Sequence, residues 1–196
     1  MAEFENYWYS APTMNFKANW NLKLLYKSDT DPQIERELKS IEKLCVDFEK
    51  KYKGKNFTKD PRTLFKALEE SERLGEIMDS YGPSRYFALK TDLDATDSKS
   101  FAMSTKLGQR LAEAGNRTKF FGLEIAKIPP AKQKPFLNYR PLAPYKYMLE
   151  QSFLNAKYNL PEGEEQLRSL LAEPAYGMWV DAQDKLLNKQ TIKYKG

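Results

Sequence analysis

The sequence contains no histidine and only one cysteine, Cys45, among its 196 residues. Without an imidazole, the chain cannot build the Ser-His or Cys-His pairs of nucleophilic catalysis. It also lacks the histidine and cysteine ligands that usually hold zinc, and a single cysteine excludes a disulfide framework. The sequence therefore predicts no catalytic residue, no cofactor-binding residue and no metal ligand here, and it leaves open which residues would contact a substrate.

Long apolar runs are missing as well. No stretch approaches the ~20 apolar residues that span a bilayer. The first residues, MAEFENYWYSAPTM, include acidic side chains and lack the apolar core of a secretory signal. We therefore expect a cytoplasmic protein that has no membrane partner.

Charges of both signs are mixed along the chain. It has 32 Lys and Arg against 27 Asp and Glu, a net charge of +5. A basic protein invites a nucleic-acid interpretation, but the charges alternate along the same helices, as in ERELKSIEK at 35–43, which is typical of a solvated surface. No zinc finger, RNP strand or basic region joined to a zipper is present, so we predict no nucleic-acid partner.

The clearest local signal lies between Asp31 and Gly54. Asp31 suits the N-cap of a helix, Pro32 suits its first position, and Gly54 can take the left-handed conformation that closes it. Between these ends, apolar residues recur at alternating steps of four and three, which predicts one buried face. The predicted buried residues are Ile34, Leu38, Ile41, Cys45, Phe48 and Tyr52. Cys45 is therefore expected to be a packing thiol, not a reactive one.

Further helices follow from proline and cap signals. Asp60-Pro61 opens a second helix with a buried face at Leu64, Leu68, Ser71, Gly75 and Met78, which Tyr81-Gly82-Pro83 should break. A third helix, the longest, is predicted from Asp94 or Asp97 to Ile128, where Pro129 and Pro130 stop it. Shorter helices are predicted at 142–157, 162–172 and 175–189, with joints at Pro141, Pro144 and Pro174.

Three glycines stand seven residues apart within the predicted third helix: Gly108, Gly115 and Gly122. Each costs a helix interior about 1 kcal/mol relative to alanine, so something is expected to compensate. We expect a neighbouring helix or aromatic ring to pack against this stripe. A peptide lying against the bare backbone is the alternative.

Two acidic clusters resemble functional motifs. Asp92, Asp94 and Asp97 begin like a calcium loop, but Asp97 replaces the required glycine and Met103 the required glutamate, so helix capping is the better interpretation. Glu164 and Glu165 open a helix, where negative charge interacts favourably with the helix dipole, and we prefer this role to catalysis.

The order of several loose motifs resembles the amino-terminal region of oligoendopeptidase F, a bacterial member of the thimet-type zinc oligopeptidases. Trp-x-Leu-x-x-Leu-Tyr at 20–26 is followed by Asp-x-Asp-Pro-x-Ile at 29–34 and by a helix ending Phe-x-x-x-Tyr-x-Gly at 48–54. The likeness continues through Tyr86, Asp92 and Asp94, FFGLEIAKI at 120–128, YKYMLE from Tyr145 to Glu150, Glu164-Glu165 and Trp179. It covers about residues 19–195.

This resemblance implies a lobe that precedes a catalytic domain. The family's enzymes hold zinc through an H-E-x-x-H helix and a later glutamate, none of which this chain can supply. Zinc is therefore expected in the catalytic domain of a parent enzyme, which would be a zinc metalloendopeptidase. The implied function is a lobe that walls the substrate cleft and is not catalytic alone. Its implied partners are the catalytic domain and, in the full enzyme, short peptides.

We expect an all-α fold, an antiparallel array of long and short helices with at most a short C-terminal strand. The expected divisions are an aromatic arm at 1–18, a helical lobe at 19–190 and the start of a strand at 191–196, where we expect a fragment or truncated product to end. A free-standing helical protein-interaction module remains the alternative function.

Overall fold

The computed structural model describes residues 20–79, 82–188 and 190. Regular secondary structure in these residues is entirely helical, which confirms the all-α prediction. The α-helices are α1 Pro32–Tyr52, α2 Pro61–Asp79, α3 Pro83–Leu93, α4 Ser98–Asn116, α5 Lys119–Ala126, α6 Pro130–Leu137, α7 Lys146–Asn155, α8 Glu162–Ala172 and α9 Met178–Asn188. Short 3₁₀ helices lie at Leu22–Leu24, Arg140–Tyr145 and Ala156–Tyr158, and a π-helical turn lies at Glu173–Gly177.

Helix α1 has the ends and the buried face that the sequence predicts. The Asp31 side chain accepts the amide of Gln33 at 2.9 Å, and Pro32 is the first helical residue. Gly54 has φ +70° just beyond the C-cap Lys53, so the chain leaves the helix through a conformation that residues with a side chain rarely adopt. The buried residues of α1 are the six predicted ones, Ile34, Leu38, Ile41, Cys45, Phe48 and Tyr52.

Helix α2 begins where predicted, because Asp60 accepts the amide of Thr63 at 2.8 Å. Its buried face is only partly the predicted one. Leu64 and Leu68 are buried, while Ala67 and Leu74 are buried without having been predicted. The expected break also occurs, since α2 ends at Asp79 and Pro83 is the first residue of α3.

The prediction of one long third helix is wrong. Asp97 does cap α4, but this helix ends at Asn116 and α5 starts only at Lys119. Both the amide and the hydroxyl of Thr118 donate to the Gly115 carbonyl, at 3.0 and 2.8 Å, which ends the regular helical ladder. The turn directs Phe120 and Phe121 into the core. At 21 residues, α1 exceeds both α4 and α5 in length.

Two further helices differ from the sequence prediction. Helix α3 occupies residues for which the sequence analysis predicted no element, and it packs closely along α4 through a short connection. Helix α6 begins at Pro130, so the proline pair that stops one helix also starts the next. Helix α8 matches the predicted 162–172, whereas α7 and α9 are shorter than predicted.

The core consists of two clusters. The larger combines α1, α2, α4 and α5 with Phe136, Leu142 and Leu149, and it includes a stacked pair of Phe57 and Phe121 with ring centroids 4.7 Å apart. The smaller joins Tyr26 to α1, α3 and α4 around Phe87 and Leu107. Arg110 of α4 bridges two carboxylates of α1, Glu35 at 2.9 Å and Glu42 at 2.8 Å. Among the described side chains, none after Leu149 is buried.

The predicted aromatic arm at 1–18 and the predicted strand at 191–196 lie outside the described residues. Within the described part of the chain, no helix combines the length and apolar character that crossing a membrane requires.

Candidate interaction surface

Exposed apolar side chains are concentrated in the last third of the chain. Before residue 100, the exposed large apolar residues of the described chain are Trp20, Leu24, Ile77 and Leu93. Between Tyr147 and Leu187 they are Tyr147, Met148, Leu154, Tyr158, Leu160, Leu167, Leu170, Leu171, Tyr176, Met178, Trp179, Val180, Leu186 and Leu187. Exposed apolar surface is a common mark of binding sites, so this part of the chain is the candidate interaction surface.

Helix α8 packs on the fold through its polar side. Its half-buried residues are Glu162, Glu165, Gln166 and Ser169. Glu162 pairs with Lys53, the residue that follows α1, at 2.8 Å, and this pairing raises the pKa of that lysine. The Gln166 side chain donates to the carbonyl of Asn116 at 3.3 Å. Polar contacts therefore attach this helix to the domain.

The apolar side of α8 faces outward. Leu167 is 55% exposed, Leu170 45% and Leu171 51%. We call these three residues the leucine face. An amphipathic helix normally buries its apolar stripe against the core. Here the orientation is reversed, so the leucine face is available to another surface.

Helix α9 extends the same pattern, because Trp179 is 75% exposed and Leu186 is 65% exposed. Lys185 attaches it to α4, with the ammonium 3.4 Å from the centroid of the Phe101 ring, a cation–π contact. Helices α3, α4 and α9 thereby enclose a cleft of about 690 Å³. Charged side chains line it, including Arg85, Asp92 and Asp184.

Cys45 and the two acidic clusters have structural roles in this fold. Cys45 is fully buried, burial raises the pKa of its thiol, and its sulfur lies 3.8 Å from the Met78 sulfur. Asp97 accepts the hydroxyl and the amide of Ser100, at 2.6 and 2.9 Å, and these bonds lower its pKa. Glu165 accepts the amide of Leu160, which lowers the pKa of its carboxyl, and also pairs with Arg168.

Two tyrosines from the resemblance also join elements of the fold. The Tyr86 hydroxyl donates to Asp29 at 2.9 Å, and burial together with this bond raises the pKa of Tyr86 to about 12. The Tyr145 hydroxyl donates to Glu72, and this bond with burial raises its pKa to about 12. Both phenols are therefore protonated hydrogen-bond donors at physiological pH. They hold elements of the fold together and do not act as catalytic bases.

The three glycines do not form one stripe, because α4 carries Gly108 and Gly115 while Gly122 belongs to α5. A Cβ at Gly115 would lie 3.4 Å from the Met78 methyl carbon, which agrees with the expected packing. A Cβ at Gly108 or Gly122 would meet nothing within 4 Å. Packing therefore explains one of the three glycines.

Among residues 20–79, 82–188 and 190, no group of three or more cysteine or carboxylate side chains is placed to hold a metal ion. The donors present do not fit the catalytic zinc that the resemblance implies for a parent enzyme. The features that the structure brings together are therefore surfaces, the leucine face, the exposed side of α9 and the cleft. Sequence periodicity detected the amphipathic helices, but it gave no signal of which side of α8 would face the core.

Comparison with known proteins adds one finding. The model of a family described as oligopeptidase F, covering its amino-terminal domain, matches residues 124–189, about a third of the chain. No curated protein and no solved structure matched the chain. The matched residues run from within α5 through α9 and include the whole leucine face. Over these residues, the chain is similar to the amino-terminal domain of the oligopeptidase F family.

Proposed function

We propose that this chain is the helical lobe of an oligoendopeptidase F-like zinc metallopeptidase and that it walls the cleft in which short peptides are cleaved. The lobe contributes no catalytic group. Zinc, held by the catalytic portion of the parent enzyme, would polarise the scissile carbonyl and activate water. The lobe would hold the peptide in place and limit access of bulk water, effects that raise the rate without acting on the bond.

The orientation of α8 is the observation that carries this proposal. The helix uses Glu162 and Gln166 to attach to the domain and leaves the leucine face exposed. The three half-exposed leucines of α8 and the exposed Trp179 of α9 are apolar side chains suited to burial against a second body. The family match over the same residues makes the catalytic portion the partner that we propose for this surface.

Reconstitution tests the proposal. The chain is co-expressed with the catalytic portion of an oligoendopeptidase F, and association is measured by size-exclusion chromatography. Cleavage of a quenched fluorescent peptide is then compared with that of the catalytic portion alone. We expect a complex with higher activity and with the same zinc content. Two folded pieces that fail to associate would contradict the proposal.

A matched pair of variants locates the contact. Leu167→Gln combined with Leu171→Gln removes two apolar side chains from the leucine face while keeping good helix formers. The control combines Leu24→Gln with Leu93→Gln, which are also exposed, at 84% and 43%, but lie outside α8 and α9. We expect at least tenfold weaker association for the first pair only. Equal association of both variants would place the contact elsewhere.

The alternative is a free-standing interaction module that uses the leucine face to bind a helix of another protein. The reading frame downstream of Gly196 separates the two functions, because an H-E-x-x-H motif encoded there favours the peptidase lobe. A stop codon without a neighbouring peptidase gene favours the module.

A further inference from the structure

A second concave surface, separate from the leucine face, lies between α2, α4 and α5. It encloses about 600 Å³, with Ser169 of α8 at its edge. Three glycines line it, Gly75, Gly115 and Gly122, and we call it the glycine groove. Its apolar lining includes Leu111, Met78 and Phe121.

Packing between helices does not account for two of these glycines. A Cβ placed at Gly75 or Gly122 would meet nothing within 4 Å. A glycine inside a helix is less favourable than alanine by about 1 kcal/mol. Gly75 and Gly122 both line the groove, so a ligand in it can approach the helix backbone closely at these positions.

Asn116 supplies an independent sign of a ligand. It lines the groove and is only 9% exposed. Its amide nitrogen donates to the carbonyl of Gln166 at 3.3 Å, but its Oδ1 atom is buried without a hydrogen-bond partner in the described structure. A buried acceptor without a donor costs about 1–3 kcal/mol. Such an atom calls for an N–H or O–H group that the described chain does not provide.

Lys119 supplies a cation at the same groove. It is the first residue of α5 and its side chain is exposed; within the described chain it attracts the Glu165 carboxylate without forming a direct ion pair. The groove thus offers a hydrogen-bond acceptor, a positive charge and an apolar lining. The complementary ligand has an N–H donor, a negative charge and an apolar side chain close together.

We propose that the glycine groove binds the free carboxyl end of a short extended peptide. A peptide N–H would donate to Asn116 Oδ1, the terminal carboxylate would lie near Lys119, and the last side chain would contact Phe121 and Met78. To reach Oδ1, the ligand would displace Gln166 of α8, which forms two hydrogen bonds of 3.3 Å with Asn116. The inference does not depend on a catalytic partner, since the groove is formed by this chain alone.

The test uses the whole chain and one peptide in two forms, N-acetyl-Ala-Leu with a free carboxylate and the same peptide as a carboxamide. Binding is followed through the backbone amide signals of the glycines in ¹H–¹⁵N spectra. We expect saturable shifts for Gly75, Gly115 and Gly122, with Gly108 as the internal reference outside the groove. The carboxamide should bind about tenfold weaker, and Lys119→Gln should remove this difference. Equal binding of the two forms to the unmodified chain would overturn the proposal.

Matched glycine variants test the location. Gly75→Leu fills the groove, while Gly108→Leu places the same side chain into open space in the cleft between α3, α4 and α9. We expect at least tenfold weaker binding for Gly75→Leu and unchanged binding for Gly108→Leu. If both variants bind as the unmodified chain does, or if no saturable shift appears at about 10 mM peptide, the proposal is wrong. Because this assay omits the catalytic portion, its failure is distinguishable from failure of reconstitution.

Discussion

Truncation of one outward leucine should cost far less stability than truncation of a core leucine, if the leucine face is free in the isolated chain. Leu167→Ala is the test, with Leu149→Ala as the matched core substitution. Leu167 of α8 is 55% exposed, whereas Leu149 of α7 is fully buried in the larger core cluster. Both are helical leucines, so the intrinsic helix propensity changes similarly in the two variants.

The expected magnitudes differ clearly. Leu149→Ala loses the full transfer free energy of the deleted carbons and leaves a cavity, a total of about 3–4 kcal/mol. Leu167→Ala loses about half of the transfer term and leaves no enclosed cavity, so its cost should be about 1 kcal/mol or less. The difference between the two variants should therefore reach about 2 kcal/mol or more.

Urea unfolding followed by far-UV circular dichroism measures both values. The slopes should agree among the variants, so that changes in midpoint report stability alone. A cost for Leu167→Ala equal to that for Leu149→Ala would refute the outward orientation. If the destabilisation by Leu167→Ala were smaller at lower protein concentration, self-association through the leucine face would be the cause, because only a contact between copies depends on concentration.

Three other substitutions or reagents test separate parts of the structure. Gly54→Ala should destabilise the chain by about 1 kcal/mol because φ is +70° there, while Gly75→Ala should not, and thermal melts of the two variants decide this. Asp97→Asn should be less stable than the unmodified chain at neutral pH. Since the folded pKa of Asp97 is lowered, its contribution is present above its unfolded pKa near 4 and is lost as pH falls through the folded value, so the two stability curves should converge in acid. Cys45 should react with a thiol reagent only after unfolding, because it is fully buried and its pKa is raised, and fast reaction of the native chain would contradict the packing assigned to α1.

The sequence was most informative where the determining contacts are local. Both ends of α1 depend on residues within the helix or next to it, Asp31, Pro32 and Gly54, and one apolar period defines its face. The turn between α4 and α5 contains no proline, and Gly115 beside it was assigned to the interior of one long helix. The turn depends on the Thr118 hydroxyl, which competes for a helical carbonyl, and on the free energy gained by burying Phe120 and Phe121. This burial depends on tertiary packing, which the local sequence does not show.

The candidate surfaces were harder to predict for a related reason. Periodicity shows that α8 is amphipathic, but the apolar side of an amphipathic helix is ordinarily assigned to the helix's own core. Which side meets the domain depends on partners distant in sequence, Lys53 and Asn116, that select Glu162 and Gln166. The glycine groove was likewise hidden, because Gly75 and Gly122 come together only after α2 and α5 have packed.

The position of the core gives a reason to link the leucine face to another body. Burial in the described chain stops at Leu149, yet the likeness to oligopeptidase F continues to residue 189. The residues from α8 onward add little apolar burial to this fold, while ordering a helix in water costs conformational entropy that packing normally offsets. The exposed leucines of α8 and Trp179 of α9 can supply that packing only by contacting a surface outside the described domain. We therefore expect slower amide hydrogen exchange in α8 and α9 when the reconstituted complex forms. Slower exchange would show that these helices pack against the partner. Unchanged exchange in these helices within a formed complex would place the partner on another face.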